Sequence, residues 1–82
     1  MSEKFETFVD EEIYMELEAN DYKDSARVDR SLAESIAESD NPFKVSNMIK
    51  KVLKNYYKED AIISVRFTKD YYKINRYYED EE

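Results

Sequence analysis

Residues 41–58 read NPFKVSNMIKKVLKNYYK, and the fold turns on this stretch. Asn41 is a good N-cap, and Pro42 suits the first helical turn, where an N–H has no intrahelical partner to lose. At about 100° per residue, Val45, Met48, Ile49, Val52, Leu53, Tyr56 and Tyr57 gather on one side. Lys44, Asn47, Lys50, Lys51, Lys54 and Lys58 gather on the other, with no carboxylate among them. The spacing predicts a central amphipathic helix over about 42–58. Its apolar arc needs a cover, and its lysine arc is either a solvated face or a docking face for something acidic.

Downstream the period changes from helical to alternating. Ala61, Ile63, Val65 and Phe67 take one side while Ile62, Ser64, Arg66 and Thr68 take the other, the signature of a strand. Tyr71 to Tyr78 continues as a tyrosine-rich partner, so a C-terminal antiparallel hairpin is predicted over about 61–68 and 71–78, packed on the apolar face of the central helix. With Lys69 and Asp70 as the turn, Phe67 faces Tyr72 and Val65 faces Ile74 on the covered side. The outer side then sets Arg66 opposite Lys73, flanked by Tyr71, Asn75 and Tyr77. Like charges in opposition are unfavourable. They call for an answering anion: the acidic stretch 79–82, a carboxylate of the first segment, or an external group. A tight turn of this kind usually contains Asn-Gly or Asp-Gly, and this chain has no glycine.

Upstream, residues 2–19 favour a helix, since Glu, Met, Leu and Ala dominate 11–19 and Phe5, Phe8, Val9, Ile13 and Leu17 share a broad face. The competing pattern is a strand, because Ile13, Met15, Leu17 and Ala19 alternate with polar neighbours. Residues 20–23, NDYK, break the run, and Asp24 or Ser25 then caps a second helix over 24–39. Val28, Leu32 and Ile36 recur there every four residues beside Ala26, Ala33 and Ala37. Arg27 and Arg30 are expected to pair within that helix or with the acidic first segment. The resulting fold class is α+β: a small single domain over 1–78 with two N-terminal helices, the central helix and the hairpin, followed by an acidic tail over 79–82.

Composition narrows the chemistry. The 82 residues contain no histidine, cysteine or glycine. That removes the usual general base, the strongest nucleophile, thiolate metal sites and glycine-rich phosphate loops. No enzyme activity, cofactor or metal is expected. Asp10, Glu11 and Glu12 stand in succession, but adjacent helical residues splay apart and no calcium-loop pattern follows. No apolar run approaches the ~20 residues of a membrane span, so the expected compartment is the cytoplasm.

The net charge of −7 conceals a bipolar chain. Residues 1–40 hold thirteen acids against four bases, 41–78 hold nine bases against three acids, and 79–82 are all acidic. Two functions follow. In the first, a non-catalytic acidic regulator or inhibitor binds another protein through Asp10, Glu11, Glu12, Tyr14, Glu16, Glu18, Asp21 and Tyr22, occupying a basic surface that normally takes nucleic acid. Tyrosines serve there as aromatic anchors. In composition the chain is similar to small inhibitors encoded by phages and other mobile elements. In the second, helix, helix, capped basic helix and hairpin follow the element order of a winged helix-turn-helix. Lys44, Asn47, Lys50, Lys51, Lys54 and Lys58, with Arg66, Lys69, Lys73 and Arg76 on the wing, then contact nucleic acid. Against it stand the net acidity and a glycine-free turn between Ile36 and Val45 that reads as long for the motif. Bipolar charge also admits self-association of acidic and basic halves.

Overall fold

The computed structural model describes residues 3–19, 25–57 and 61–78. Asp21, Tyr22, Lys58 and the 79–82 tail, each singled out above, lie outside those residues. The architecture is α+β.

The chain opens with one helical run, as the helical reading of 2–19 anticipates: α1 (Glu3–Val9), a π turn (Asp10–Tyr14) and α2 (Met15–Ala19). Backbone angles at Val9 and Met15 are right-handed helical, so the axis continues through the π turn, where the Met15 N–H donates to the Asp10 carbonyl. Phe5, Phe8, Val9, Ile13 and Leu17 are buried along one face.

The second predicted helix is corrected. Residues 24–39 divide into strand β1 (Ser25–Asp29) and helix α3 (Arg30–Ala37). Ala26 and Val28 are buried while Arg27 and Asp29 are exposed, a period of two. Asp29 is the cap in place of Ser25, Asp24 lying outside the described residues: its carboxylate accepts from the Leu32 N–H at 2.9 Å. Starting the helix there leaves Ser25–Asp29 free to pair with the sheet. The Val28, Leu32, Ile36 stripe is therefore split between elements, and Leu32 is half-exposed.

Helix α4 (Pro42–Leu53) begins where predicted but ends about five residues early. The Asn55 and Tyr56 N–H groups bond three residues back, to Val52 and Leu53 carbonyls, which tightens and closes the helix. Tyr56 and Tyr57 thereby leave the helical wheel. Tyr57 turns inward, and Tyr56 stacks on Tyr14 with ring centroids 4.3 Å apart.

Strands β2 (Ala61–Phe67) and β3 (Tyr71–Tyr78) form the hairpin in the predicted register, Phe67 against Tyr72, Arg66 against Lys73 and Val65 against Ile74. β1 adds antiparallel to the far side of β3, so the sheet order is β1-β3-β2. Its inner face carries Ala26, Val28, Ile63, Tyr72 and Ile74 into one core with Val45, Ile49, Val52 and Leu53 of α4 and the apolar face of the first helical run.

Candidate nucleic-acid interface

Helices α3 and α4 are joined by residues 38–41. The junction resolves the objection that this turn is long and lacks glycine. Glu38 takes the left-handed conformation at φ 59° and ψ 42°. Its N–H donates to the Ser35 carbonyl at 3.2 Å and the Ser39 N–H to the Glu34 carbonyl at 3.1 Å, the Schellman pattern that ends a helix sharply. Asn41 then caps α4, its Oδ1 accepting from the Phe43 and Lys44 N–H groups at 3.0 and 3.4 Å. Two capped helices thus sit back to back across a short turn.

The orientation of α4 follows from its apolar arc. Val45, Ser46, Ile49, Val52 and Leu53 are buried, which turns Lys44, Asn47, Lys51 and Lys54 outward, all exposed, with Lys50 half-buried on the β2 side. Among the described residues no carboxylate pairs with any of these lysines. Phe43 stands among them, 70% exposed, its ring edge-on to Phe67 at 5.3 Å. An open groove of about 730 Å³ runs between α3 and α4 beside Lys44, Asn47 and Lys51. A second, of about 450 Å³, separates α4 from β2 beside Lys50 and Arg66.

The hairpin turn needs no glycine because side chains hold it. The Thr68 N–H donates to the Tyr71 carbonyl at 2.9 Å, and Thr68 Oγ1 accepts from the Asp70 and Tyr71 N–H groups at 3.1 Å each. Arg30, the first residue of α3, ties this turn to the helices. Its backbone N–H donates to the Asp70 carbonyl and its Nη1 to the Thr68 carbonyl, both at 3.0 Å. The same guanidinium lies 5.4 Å over the Phe67 ring and donates Nε to Glu34 Oε2 at 2.6 Å, where the Tyr72 hydroxyl also donates at 2.8 Å. Those two donors hold the Glu34 carboxyl below the usual carboxylate range, the tyrosine contributing most. Burial, with the Glu34 carboxylate beside it, pushes the Tyr72 phenol up. Turn, α3 and β3 are locked as one body, with Arg66 and Lys69 exposed at its tip.

Arg76 is placed differently from its wing companions. It is 7% exposed on the inner face, donating Nη1 to Glu18 Oε2 at 2.6 Å and to Tyr57 Oη at 3.2 Å. Alternation with Tyr72 and Ile74 already points it inward, so it is not available as a backbone contact. Glu18, half-exposed, also accepts from the Tyr57 hydroxyl at 2.6 Å, so this acid joins α2, β3 and the segment after α4. Burial first, then the Glu18 hydrogen bond, pushes the Tyr57 phenol up. Tyr14 is engaged by Tyr56, and half-buried Asp10 lies against that same phenol. Glu11, Glu12 and Glu16 are exposed. The acidic set therefore divides into fold-holding and surface members.

Two residues outside the sequence-based candidates belong with the cationic surface. Phe43 falls within the lysine arc on the helical wheel, between Lys50 and Lys54, a signal present in the sequence. Arg27 becomes visible only once 25–29 is a strand, which sets it opposite Lys73. Among the described residues, no group of three or more acidic side chains could hold a metal ion, and no helix is long and apolar enough to cross a membrane. Compared with protein-family models, curated proteins and solved structures, the chain matches none.

Proposed function

We propose that this protein is a non-catalytic regulator that binds duplex DNA as a winged helix-turn-helix, with α4 in the major groove and the 68–70 turn on the backbone. The carrying observation is the connectivity α, β, α, α, β, β with sheet order β1-β3-β2, in which the lysine face of α4 is the outward one. A helix-turn-helix reads bases from the N-terminal part of its second helix while the wing grips phosphate. Phe43, Lys44 and Asn47 occupy that part of α4. An amide reads adenine bidentately, a lysine reads guanine, and an aromatic ring packs on the thymine methyl. Lys51, Lys54, Arg66 and Lys69 supply charge for phosphates, and Arg30 keeps wing and helices in fixed relation.

The net charge of −7 weakens long-range steering toward DNA. Recognition then rests on close contacts and is steeply sensitive to salt, log K falling by about 0.9 per phosphate neutralised for each tenfold rise in salt. The test is anisotropy of labelled random-sequence duplex at low and physiological salt. Wild type binds at low salt, and Lys44→Glu with Lys51→Glu removes at least tenfold in affinity. Equal binding by the double variant overturns the assignment of α4.

A second reading draws support from Glu11, Glu12 and Glu16, exposed on the first helical run. They offer an acidic surface for a basic partner protein. Capture of such a partner that is abolished by Glu11→Lys with Glu16→Lys, and indifferent to the α4 variant, favours that reading.

A further inference from the structure

The outer face of the sheet turns away from the helices, and its residues fall in rows across the three strands. Arg27 of β1 pairs with Lys73 of β3, which pairs with Arg66 of β2. Strand spacing of about 4.8 Å puts three cationic residues across roughly 10 Å. Like charges in cross-strand register oppose one another, so the arrangement is unfavourable unless an anion sits over it. Among the described residues no carboxylate pairs with any of the three. Asp29, two residues along β1 from Arg27, has its carboxylate committed to the N-terminus of α3.

The neighbouring row is Ser25, Asn75 and Ser64, all half-buried hydrogen-bonding groups. Along the central strand the same face reads Tyr71, Lys73, Asn75, Tyr77. Tyr71 lies under the Arg27 guanidinium at 4.7 Å, and Tyr77 is 47% exposed. Among the described residues, a depression of about 340 Å³ opens beside Ser25, Asn75, Arg76 and Tyr77. Cations alone would suit any polyanion. Cations interleaved with rings on a sheet match the combination that holds single strands, charge tracking the phosphates while aromatic faces stack the bases.

We infer that this face is a second nucleic-acid surface, separate from α4, that binds single-stranded DNA or RNA with little sequence preference. The two surfaces meet at Arg66, which also borders the groove beside α4, whereas Arg27, Lys73 and Tyr77 belong to the sheet face alone.

The test is anisotropy of labelled oligo(dT) with the full chain at low salt, beside the duplex titration. Lys73→Glu, which leaves Arg66 in place, converts the cation row into alternating charges, which favours the sheet and keeps the variant folded. Circular dichroism and a thermal melt verify this. Lys73→Glu and, independently, Tyr77→Ala are expected to weaken oligo(dT) binding by about tenfold or more, whereas Lys44→Glu with Lys51→Glu leaves it unchanged and removes duplex binding. Oligo(dT) binding indifferent to the sheet variants, or lost only in the α4 variant, overturns the inference. So does effective competition by poly-glutamate together with a silent Tyr77→Ala, which would mark the face as a site for acidic protein. Loss of oligo(dT) binding in the sheet variants without any duplex binding by wild type would sink the α4 reading and leave this one standing.

Discussion

Glu38 occupies a backbone conformation, φ 59°, in which a side chain is costly and glycine is at ease. The chain has no glycine to offer, so the turn between α3 and α4 stores roughly 1 kcal/mol that Glu38→Gly should return. A higher denaturant midpoint with an unchanged slope is the expected outcome. Asn41, three residues on, acts in the opposite direction: Asn41→Ala removes the acceptor for two N–H groups at the start of α4 and should cost about 1 kcal/mol. Titratable residues add a pH signature. Glu34 ionises more easily folded than unfolded, so its contribution is complete above the unfolded carboxylate pKa, about 4.3, and is lost as pH falls through the lower folded value. Tyr57 and Tyr72 hold their protons more tightly folded than unfolded. Their contribution is complete below about pH 10 and is lost on further rise. Thermal melts across pH should show both limbs, the acid limb shallower in Glu34→Gln and the alkaline limb shallower in Tyr72→Phe.

Among the elements, α4 and the hairpin were legible because each signal is local. A cap, a proline and an uninterrupted arc define the helix, while strict alternation defines the register, down to Arg66 against Lys73. β1 was not legible. Five residues, SARVD, fit a strand and the first turn of a helix equally, and what decides between them is pairing with β3, far along the chain. Misreading β1 hid the strand that completes the sheet and with it the place of Arg27. The early end of α4 has a similar origin, since Tyr57 is drawn off the helix into contact with Glu18 and Arg76, partners no periodicity reveals. Within the candidate site, the outward Lys44, Asn47, Lys51 and Lys54 could be read from the wheel. The clamp that Arg30 makes on the turn could not, because it spans three elements. That clamp is itself open to test: Arg30→Ala should spare α4 yet loosen the hairpin tip, seen as faster amide exchange at 69–71 than at Ile49.

For the whole molecule, charge is sorted rather than balanced. Exposed Glu11, Glu12 and Glu16 belong to the helical run 3–19, Lys44, Lys51 and Lys54 to α4 and its C-cap, and the Arg27, Lys73, Arg66 row to the outer sheet. A domain so divided carries two cationic surfaces while its total charge remains negative, which weakens long-range attraction to a polyanion. The most direct measurement is a ¹⁵N–¹H spectrum of the labelled protein titrated with duplex DNA at low salt. Placement of α4 in the major groove predicts that shifts concentrate at Phe43, Lys44, Asn47 and Lys51 and at the 68–70 turn, while amides of Glu11, Glu12 and Glu16 stay in place. Shifts confined to those acids, or a spectrum that DNA leaves unchanged, would contradict it.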